Sequence, residues 1–340
     1  MKNILINRVL LFPYYLVLKI RHSLYDSGIL KSKEYPIPII CVGNITAGGT
    51  GKTPYVEYLV KTISSNERVA VLSRGYGRKS RGWREVEVSD TALQAGDEPL
   101  QIKRKFSNII VAVDENRRRG IETLLSYPPE RRPSIIILDD AFQHRRVKSS
   151  KNIVLIDSSR PIDQDSLLPV GRLRDLPEQI KRADLVVVTK CPPEMDAADM
   201  FLWEQRIKLP AGTEVQFTSL EYADAKPVFS EADNRYLYSK FAMMLTAIAN
   251  PTHLRYHLLS FYKIGSSLEF KDHHNFRKSD VKKIAGWANR DKKALIITTE
   301  KDAQRLSALT ALPPDVKARM FYLPIESVVL ERKQKENYKL

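Results

Sequence analysis

The sequence predicts an α/β protein built on a doubly wound, mostly parallel sheet, with a smaller α/β lobe toward the C-terminus. Three observations lead there. A short apolar run ends in a glycine-rich loop that opens directly into a helical pattern. Other apolar runs of strand length alternate with helical periodicities, as in a parallel sheet covered by helices on both faces. The length, 340 residues, suggests about two domains at roughly 150 residues each. Hydrophobic residues make up 43% and charged residues 28%, so the chain can bury a core and is not of the disordered class. Two cysteines, Cys41 and Cys191, exclude a disulfide scaffold and cannot alone build a zinc site. The net charge of +15 calls for an anionic partner: nucleic acid, anionic lipid or phosphorylated small molecules.

The N-terminal segment comes first. Val9 to Leu18 is an unbroken apolar stretch of ten containing Pro13, and residues 1–35 carry six Lys or Arg against Asp26 and Glu34. A spanning helix needs about 20 apolar residues, so this stretch is too short to cross a bilayer easily. No small-x-small cleavage site follows it. Apolar faces, tyrosines and flanking cations suit a helix lying in a membrane interface. An ordinary helix packed on the domain fits the same residues.

Pro38 to Val42 reads as a buried strand, and Gly43 to Pro54 as the loop after it. A helix follows, with Tyr55, Leu59, Val60 and Ile63 expected on one side. Strand, glycine-rich loop and helix is the context of a Walker A phosphate loop, so the core is expected to be P-loop NTPase-like. Backbone N–H groups of such a loop close around phosphate oxygens, aided by the positive end of the helix. Asn44, Thr46, Gly48, Gly49, Thr50, Gly51, Lys52 and Thr53 form the expected nucleotide site. Lys52 would reach the terminal phosphates, and Thr53 would offer its hydroxyl to Mg²⁺. The generic pattern has glycine where this chain has Thr46.

Val69 to Leu72 is the next strand, and the run from Ser73 to Arg84 holds five Arg or Lys and no acid. Arg74 and its neighbours are either a solvated basic face or a grip for an anionic head group. Gly96-Asp97-Glu98-Pro99 starts a helix, where two carboxylates often serve as cap and dipole partners. Asn108 to Val113 is a strand followed by Arg117-Arg118-Arg119, a place for a charge stabiliser or for exposed cations. Ser134 to Leu138 is a strand ending in Asp139-Asp140. Ligands of parallel sheets sit at strand carboxyl ends, so one of these two acids is expected to hold Mg²⁺. Further strands are expected at 153–156, 185–189, 215–218, 241–248, 295–299 and 320–323, with helices at 194–208, 251–262 and 278–290. Asn250-Pro251 is read as an N-cap followed by proline at the first helical position. The polar segment around 220–240 is the expected crossing between lobes. That gives an interface helix over 1–35, a core over 36–225, a smaller lobe over 226–330 that can pack back on the core, and a charged tail over 331–340.

Taken together these motifs resemble the tetraacyldisaccharide 4′-kinase family of Gram-negative bacteria. The resemblance runs through the Gly43–Pro54 loop, Ser73-Arg74-Gly75-Tyr76-Gly77, Gly96-Asp97-Glu98-Pro99 and Leu138 to Arg145. It continues through Leu168 to Asp175, Asp272-His273-His274-x-Phe276 and Thr298 to Leu306. Thr46 is part of the family pattern. Ala141 replaces a usual glycine, and Asp175 a usual glutamate. The resemblance implies a membrane-associated kinase that moves the γ-phosphoryl of ATP to the 4′-hydroxyl of a tetraacyl disaccharide 1-phosphate, giving lipid IVA. It implies Asp97 as base, assisted by His273 or His274, with His273 preferred. Asp139 and Asp140 would serve Mg²⁺, with Glu98 joining them. Arg117, Gln143, His144, Arg174 and Asp175 would line the phosphate and substrate cleft, with Arg117 also among the catalytic residues. The expected location is the cytoplasmic face of the inner membrane, on an anionic surface, peripheral or singly anchored. Two rival readings are a P-loop GTPase or assembly ATPase and a nucleic-acid-binding protein. Val188 to Pro193 lacks the Asn and Asp of a GTPase base-reading motif, and no nucleic-acid signature is found, so no specific nucleic-acid partner is expected.

Overall fold

The computed structural model describes residues 2–332, with side chains from residue 11 onward; most of the charged tail lies outside this range. The chain opens with α1 (Lys2–Asp26), then β1 (Ile39–Gly43), α2 (Lys52–Ile63), β2 (Val69–Ser73) and β3 (Arg84–Glu85). Next come α3 (Ala92–Ala95), α4 (Asp97–Lys105), β4 (Ile110–Val113), α5 (Arg117–Leu125), β5 (Ile135–Asp139) and β6 (Lys151–Asp157). Then follow β7 (Leu185–Thr189), α6 (Ala197–Ile207), β8 (Glu214–Tyr222), β9 (Lys226–Pro227), β10 (Phe241–Thr246) and α7 (Thr252–Leu259). The chain continues with β11 (Lys263–Glu269), α8 (Lys278–Ala288), β12 (Leu295–Thr299), α9 (Glu300–Leu306), α10 (Pro314–Lys317), β13 (Met320–Leu323) and β14 (Ile325–Val329).

Among the described residues the strands form two sheets. The larger has the order β14-β8-β7-β6-β1-β5-β2-β4-β3 and the smaller β11-β10-β12-β13-β9. Neighbours run parallel except at β3, β14 and β9, which pair antiparallel at sheet edges. The central strands are apolar on both faces because both are covered: β2 and β7 are buried throughout. Two apolar clusters flank the large sheet and two flank the small one, the layering of a doubly wound α/β protein. β1 lies between β5 and β6, so chain direction around the sheet reverses there and opens a crevice at the strand carboxyl ends. The chain leaves the large sheet after β8 and returns to it with β14, which pairs Ile325–Val329 against Thr218–Tyr222.

Several boundaries differ from expectation. α7 begins at Thr252 with Pro251 as its N-cap, and Asn250 Oδ1 accepts the Thr252 amide, so the helix starts one residue later. It ends at Leu259, and β11 follows unexpectedly. β11 is an edge strand with mixed exposure, so it shows no apolar run. β14 was likewise not expected; it lies at the other sheet's edge, one residue past β13. α2 buries Tyr55, Val56, Glu57 and Val60, with Leu59 and Ile63 only half-buried. Its apolar face therefore lies nearer Val56 than Leu59.

α1 has two faces. Leu11, Tyr14, Tyr15, Leu18 and His22 follow helical spacing and pack onto the protein. Phe12, Leu16, Val17 and Ile20 form an exposed apolar stripe, Phe12 at 59% and Val17 at 62%. No helix among the described residues is long and apolar enough to cross a membrane.

Candidate active site

The phosphate loop joins β1 to α2 where the large sheet reverses direction. Gly51 caps α2 with φ 76°, a left-handed conformation that favours glycine, and turns the chain so that Lys52 opens the helix. Thr46 does not have a positive φ. It forms an antiparallel bridge to Leu173, so the position that departs from the generic pattern is held by a β-bridge that threonine suits. The side chains of Asn44, Thr46 and Thr50 are interior: Asn44 Nδ2 donates to Thr46 O at 2.6 Å and to Thr50 Oγ1 at 2.7 Å. Their side chains brace the loop, which leaves backbone N–H groups to meet a phosphate. Gly48 and Gly49 are exposed at its crest.

Paired strands put the carboxylates beside this loop. Val42 is in register with Asp139, so the end of β5 lies against the start of the loop. Asp139 is 2% exposed; its Oδ2 accepts from Ser73 Oγ at 3.2 Å, and its Oδ1 has no partner. Burial, reinforced by Glu98 and Asp140, pushes its carboxyl up to about 7. Asp140 takes the left-handed turn at φ 49°, which is why Ala141 needs no glycine there. Burial works against the Asp140 charge, but hydrogen bonds from Arg174 and the nearby Lys52 overcome it and hold the carboxyl at about 2. Lys52 Nζ lies 3.7 Å from Asp140 Oδ1.

The second part of the site forms where α4 of the large-sheet lobe meets the small-sheet lobe. Asp97 opens α4 after Gly96, whose φ is 93° and where a Cβ would press on Gly75 and the Tyr76 carbonyl. His273 Nδ1 lies 3.3 Å and Arg305 Nε 3.2 Å from Asp97 Oδ2. Lys301 Nζ lies 3.3 Å from His273 Nε2 and 3.1 Å from Glu98 Oε1. An ammonium only donates, so Nε2 accepts, and the ring's remaining proton on Nδ1 points to Asp97. His274 instead bonds Asp280 at 2.9 Å and stacks on Phe270, so it lies in the lobe's own packing. Asp302 supports this corner by accepting the Ala247 amide and the Thr299 hydroxyl. Lys301 and Arg305 were not among the expected site residues. Their signal was legible: they follow Thr299 at the carboxyl end of a buried strand, as Asp139 does.

Other expected residues are placed differently from one another. Arg74 is exposed on a wall shared with Tyr76, Lys79 and Arg81. Arg117 is buried and spends its guanidinium on the Asp114 and Asp139 carbonyls at 2.6 and 3.2 Å. It therefore fixes the end of β5. Gln143 Nε2 donates to the Asn44 carbonyl at 2.8 Å, bracing the loop. His144 has an unpartnered Nε2, and burial with surrounding arginines pushes its imidazole down to about 4, so it is neutral at pH 7. Arg174 reaches Asp140, 3.1 Å from its Oδ2, and also the Asn44 carbonyl. Asp175 is fully buried against His22 of α1, which corrects its expected place in an open substrate cleft.

A cation fits the residues around Asp139. Its Oδ1 is an orphaned buried oxygen, Asp140 is ionised, and Thr53 and Glu98 lie on the elements that border them. No group of three His, Cys, Asp or Glu that could hold a metal occurs among the described residues. Mg²⁺ needs none, because it takes one or two carboxylates and completes its shell with phosphate and water.

A phosphate loop sharing its cleft with a carboxylate oriented by a histidine is equipment for moving a phosphoryl group to an acceptor. The protein is thus a P-loop phosphotransferase in class. Comparison with known proteins narrows the class. Residues 5–339 match the family model for tetraacyldisaccharide-1-P 4′-kinase, LpxK. The tetraacyldisaccharide 4′-kinase of Parabacteroides distasonis is 43% identical over 321 residues, 92% of this chain and 87% of that protein. That of Bacteroides thetaiotaomicron is 40% identical over 336 residues, 94% of this chain and 88% of that protein. The crystal structure of Aquifex aeolicus LpxK in complex with ATP superposes with a TM-score of 0.73 at 28% identity, covering 96% of this chain and 95% of that one. The chain belongs to the tetraacyldisaccharide-1-P 4′-kinase family and is an ATP-dependent kinase.

Proposed function

We propose that this protein transfers the γ-phosphoryl of ATP to the 4′-hydroxyl of a tetraacyl disaccharide 1-phosphate, giving lipid IVA. The observation that carries the reading at residue level is the Asp97 carboxylate held between His273 and Arg305, with Glu98 beside it close enough to raise Asp139. Asp97 takes the proton of the acceptor hydroxyl as its oxygen bonds to the γ-phosphorus and the bond to the β-phosphate bridging oxygen breaks. His273 donates to Asp97 and fixes its orientation. Lys52 meets the charge on the transferring phosphoryl and its leaving group. Arg174 and Arg74 provide cationic partners for phosphates on either side. Thr53, Asp139, Asp140 and Glu98 would hold Mg²⁺, which when bound neutralises charge between the β- and γ-phosphates.

α1 supports a site of action at an anionic membrane surface, the cytoplasmic face of the inner membrane. Its apolar stripe is exposed, and Lys19 and Arg21 lie over Tyr15 and Tyr25 beside it. The decisive experiment incubates the protein with radiolabelled ATP and a lipid A disaccharide 1-phosphate. A labelled lipid product is expected. Nucleotide consumption without labelled lipid would overturn the reading in favour of a hydrolase.

A further inference from the structure

His22 is the most enclosed described side chain of α1, 2% exposed on a helix whose other face is open. Its Nε2 lies 2.6 Å from Asp175 Oδ1, and its Nδ1 lies 3.1 Å from Arg145 Nη1. A guanidinium only donates, so Nδ1 is the acceptor and the ring's single proton sits on Nε2, directed at Asp175. Arg145 is itself seated on α1: it bonds Asp26 at 2.6 Å and lies over the Tyr25 ring. One cation thus orients the imidazole, and the imidazole spends its N–H on one carboxylate.

Asp175 is fully buried, and its Oδ1 also accepts the Leu176 amide at 2.9 Å. The residue before it is Arg174, which grips Asp140 and Asn44 in the phosphoryl-transfer site. The Arg174 backbone is held from both sides: its amide donates to Ile45 O of the phosphate loop, and its carbonyl accepts from Tyr14 of α1. We propose that His22 is a positioning residue. By holding Asp175 against α1 it fixes the backbone that aims Arg174 at Asp140, so seating α1 on the core and assembling the site are one structural event. The inference rests on the kinase reading above for its activity readout.

The test uses the full chain with detergent-dispersed acceptor, which removes any need for membrane anchoring. His22→Leu removes both ring nitrogens; His22→Asn keeps polarity with a shorter reach; His22→Gln keeps an N–H donor near the position of Nε2. His22→Leu and His22→Asn are expected to lose on the order of 10²-fold in kcat/KM for the acceptor, the scale of a misplaced reacting group. His22→Gln is expected to recover most of it, and binding to anionic vesicles is expected to be unchanged in all three. Combined with Arg174→Ala, the His22 losses should be far from additive, because both act through one guanidinium. Amide exchange at residues 173–176 should rise in the Leu and Asn variants. Wild-type kcat/KM in both variants, additivity with Arg174→Ala, or unchanged exchange would overturn the proposal. Absence of labelled lipid from the wild type would instead sink the kinase reading, and the exchange measurement would still decide the role of His22.

Discussion

Asp97 shows how one residue changes meaning with its neighbours. In sequence it is a carboxylate at a helix start, for which a cap or dipole role is the ordinary account. In the folded chain its Oδ2 faces a histidine from the loop after β11, 176 positions away, and an arginine from α9. Asp97→Ala is therefore expected to fold and bind ATP while losing roughly 10²–10⁴ in kcat, the scale of general-base catalysis. Single-turnover transfer to the lipid acceptor measures this, and near-normal turnover would remove Asp97 from the base role. His273→Ala should lose less, since the base itself remains, whereas His274→Ala should act on stability through Asp280 and Phe270. The family resemblance preferred His273 of the two adjacent histidines without excluding His274. The positive φ at His273, 56°, points neighbouring side chains in different directions, and only the fold sets that turn.

α1 shows the same lesson for an element. Its composition was consistent with an interface helix and with a packed one, and the structure shows a packed face and an exposed apolar face on one helix. Deleting the helix would confound them, because Leu18 and His22 belong to the packed side. Replacing Phe12, Val17 and Ile20 together by Ser leaves that side intact. At about 1.5 kcal/mol per side chain, partitioning onto anionic vesicles should fall on the order of 10³-fold. Vesicle co-sedimentation reads the effect, and an unchanged partition coefficient would place membrane contact elsewhere. The helices and strands with strong periodicity were legible from the chain. The edge strands β11 and β14 were not, because half-exposed edges carry no apolar run and their pairing is decided by partners distant in sequence.

At the scale of the whole molecule, the two sheets meet around a buried charge cluster. Glu57 of α2 and Glu300 of α9 both bond Lys105 of α4, Glu57 at 2.7 Å and Glu300 at 3.4 Å, and Gln101 donates to Glu57 at 2.8 Å. Two carboxylates share one ammonium. Burial, then repulsion from Glu300, pushes Glu57 from 4.5 up to about 7. A carboxyl raised in the folded state binds its proton more tightly there than in the unfolded chain. Its stability contribution is thus fully present below 4.5 and is lost as pH rises to about 7. Glu57→Gln, neutral at every pH, should lack that loss. Its urea midpoint should gain on the wild type between pH 5 and pH 7.5, even though Asp139 titrates over the same window in both proteins. Parallel midpoints across this range would show that Glu57 is ionised throughout.

The sequence by itself determined the strongly patterned strands and helices, the phosphate loop and the acids at the end of β5, because each depends on residues close together in the chain. Strand, glycine turn and helix start are local, and burial on both faces writes itself as an unbroken apolar run. Tertiary structure alone decided which side chains face the site. It turned Asn44, Thr46 and Thr50 inward, committed Asp175 to His22, and brought Lys301 and Arg305 onto Glu98 and Asp97. The Asn44 bonds to Thr46 and Thr50 are local, but the other outcomes depend on contacts between distant segments, as does the grip of Arg174 on Asn44, 130 residues away. No local spacing encodes such contacts, and they arise only when two separately patterned sheets present their strand ends to one cleft.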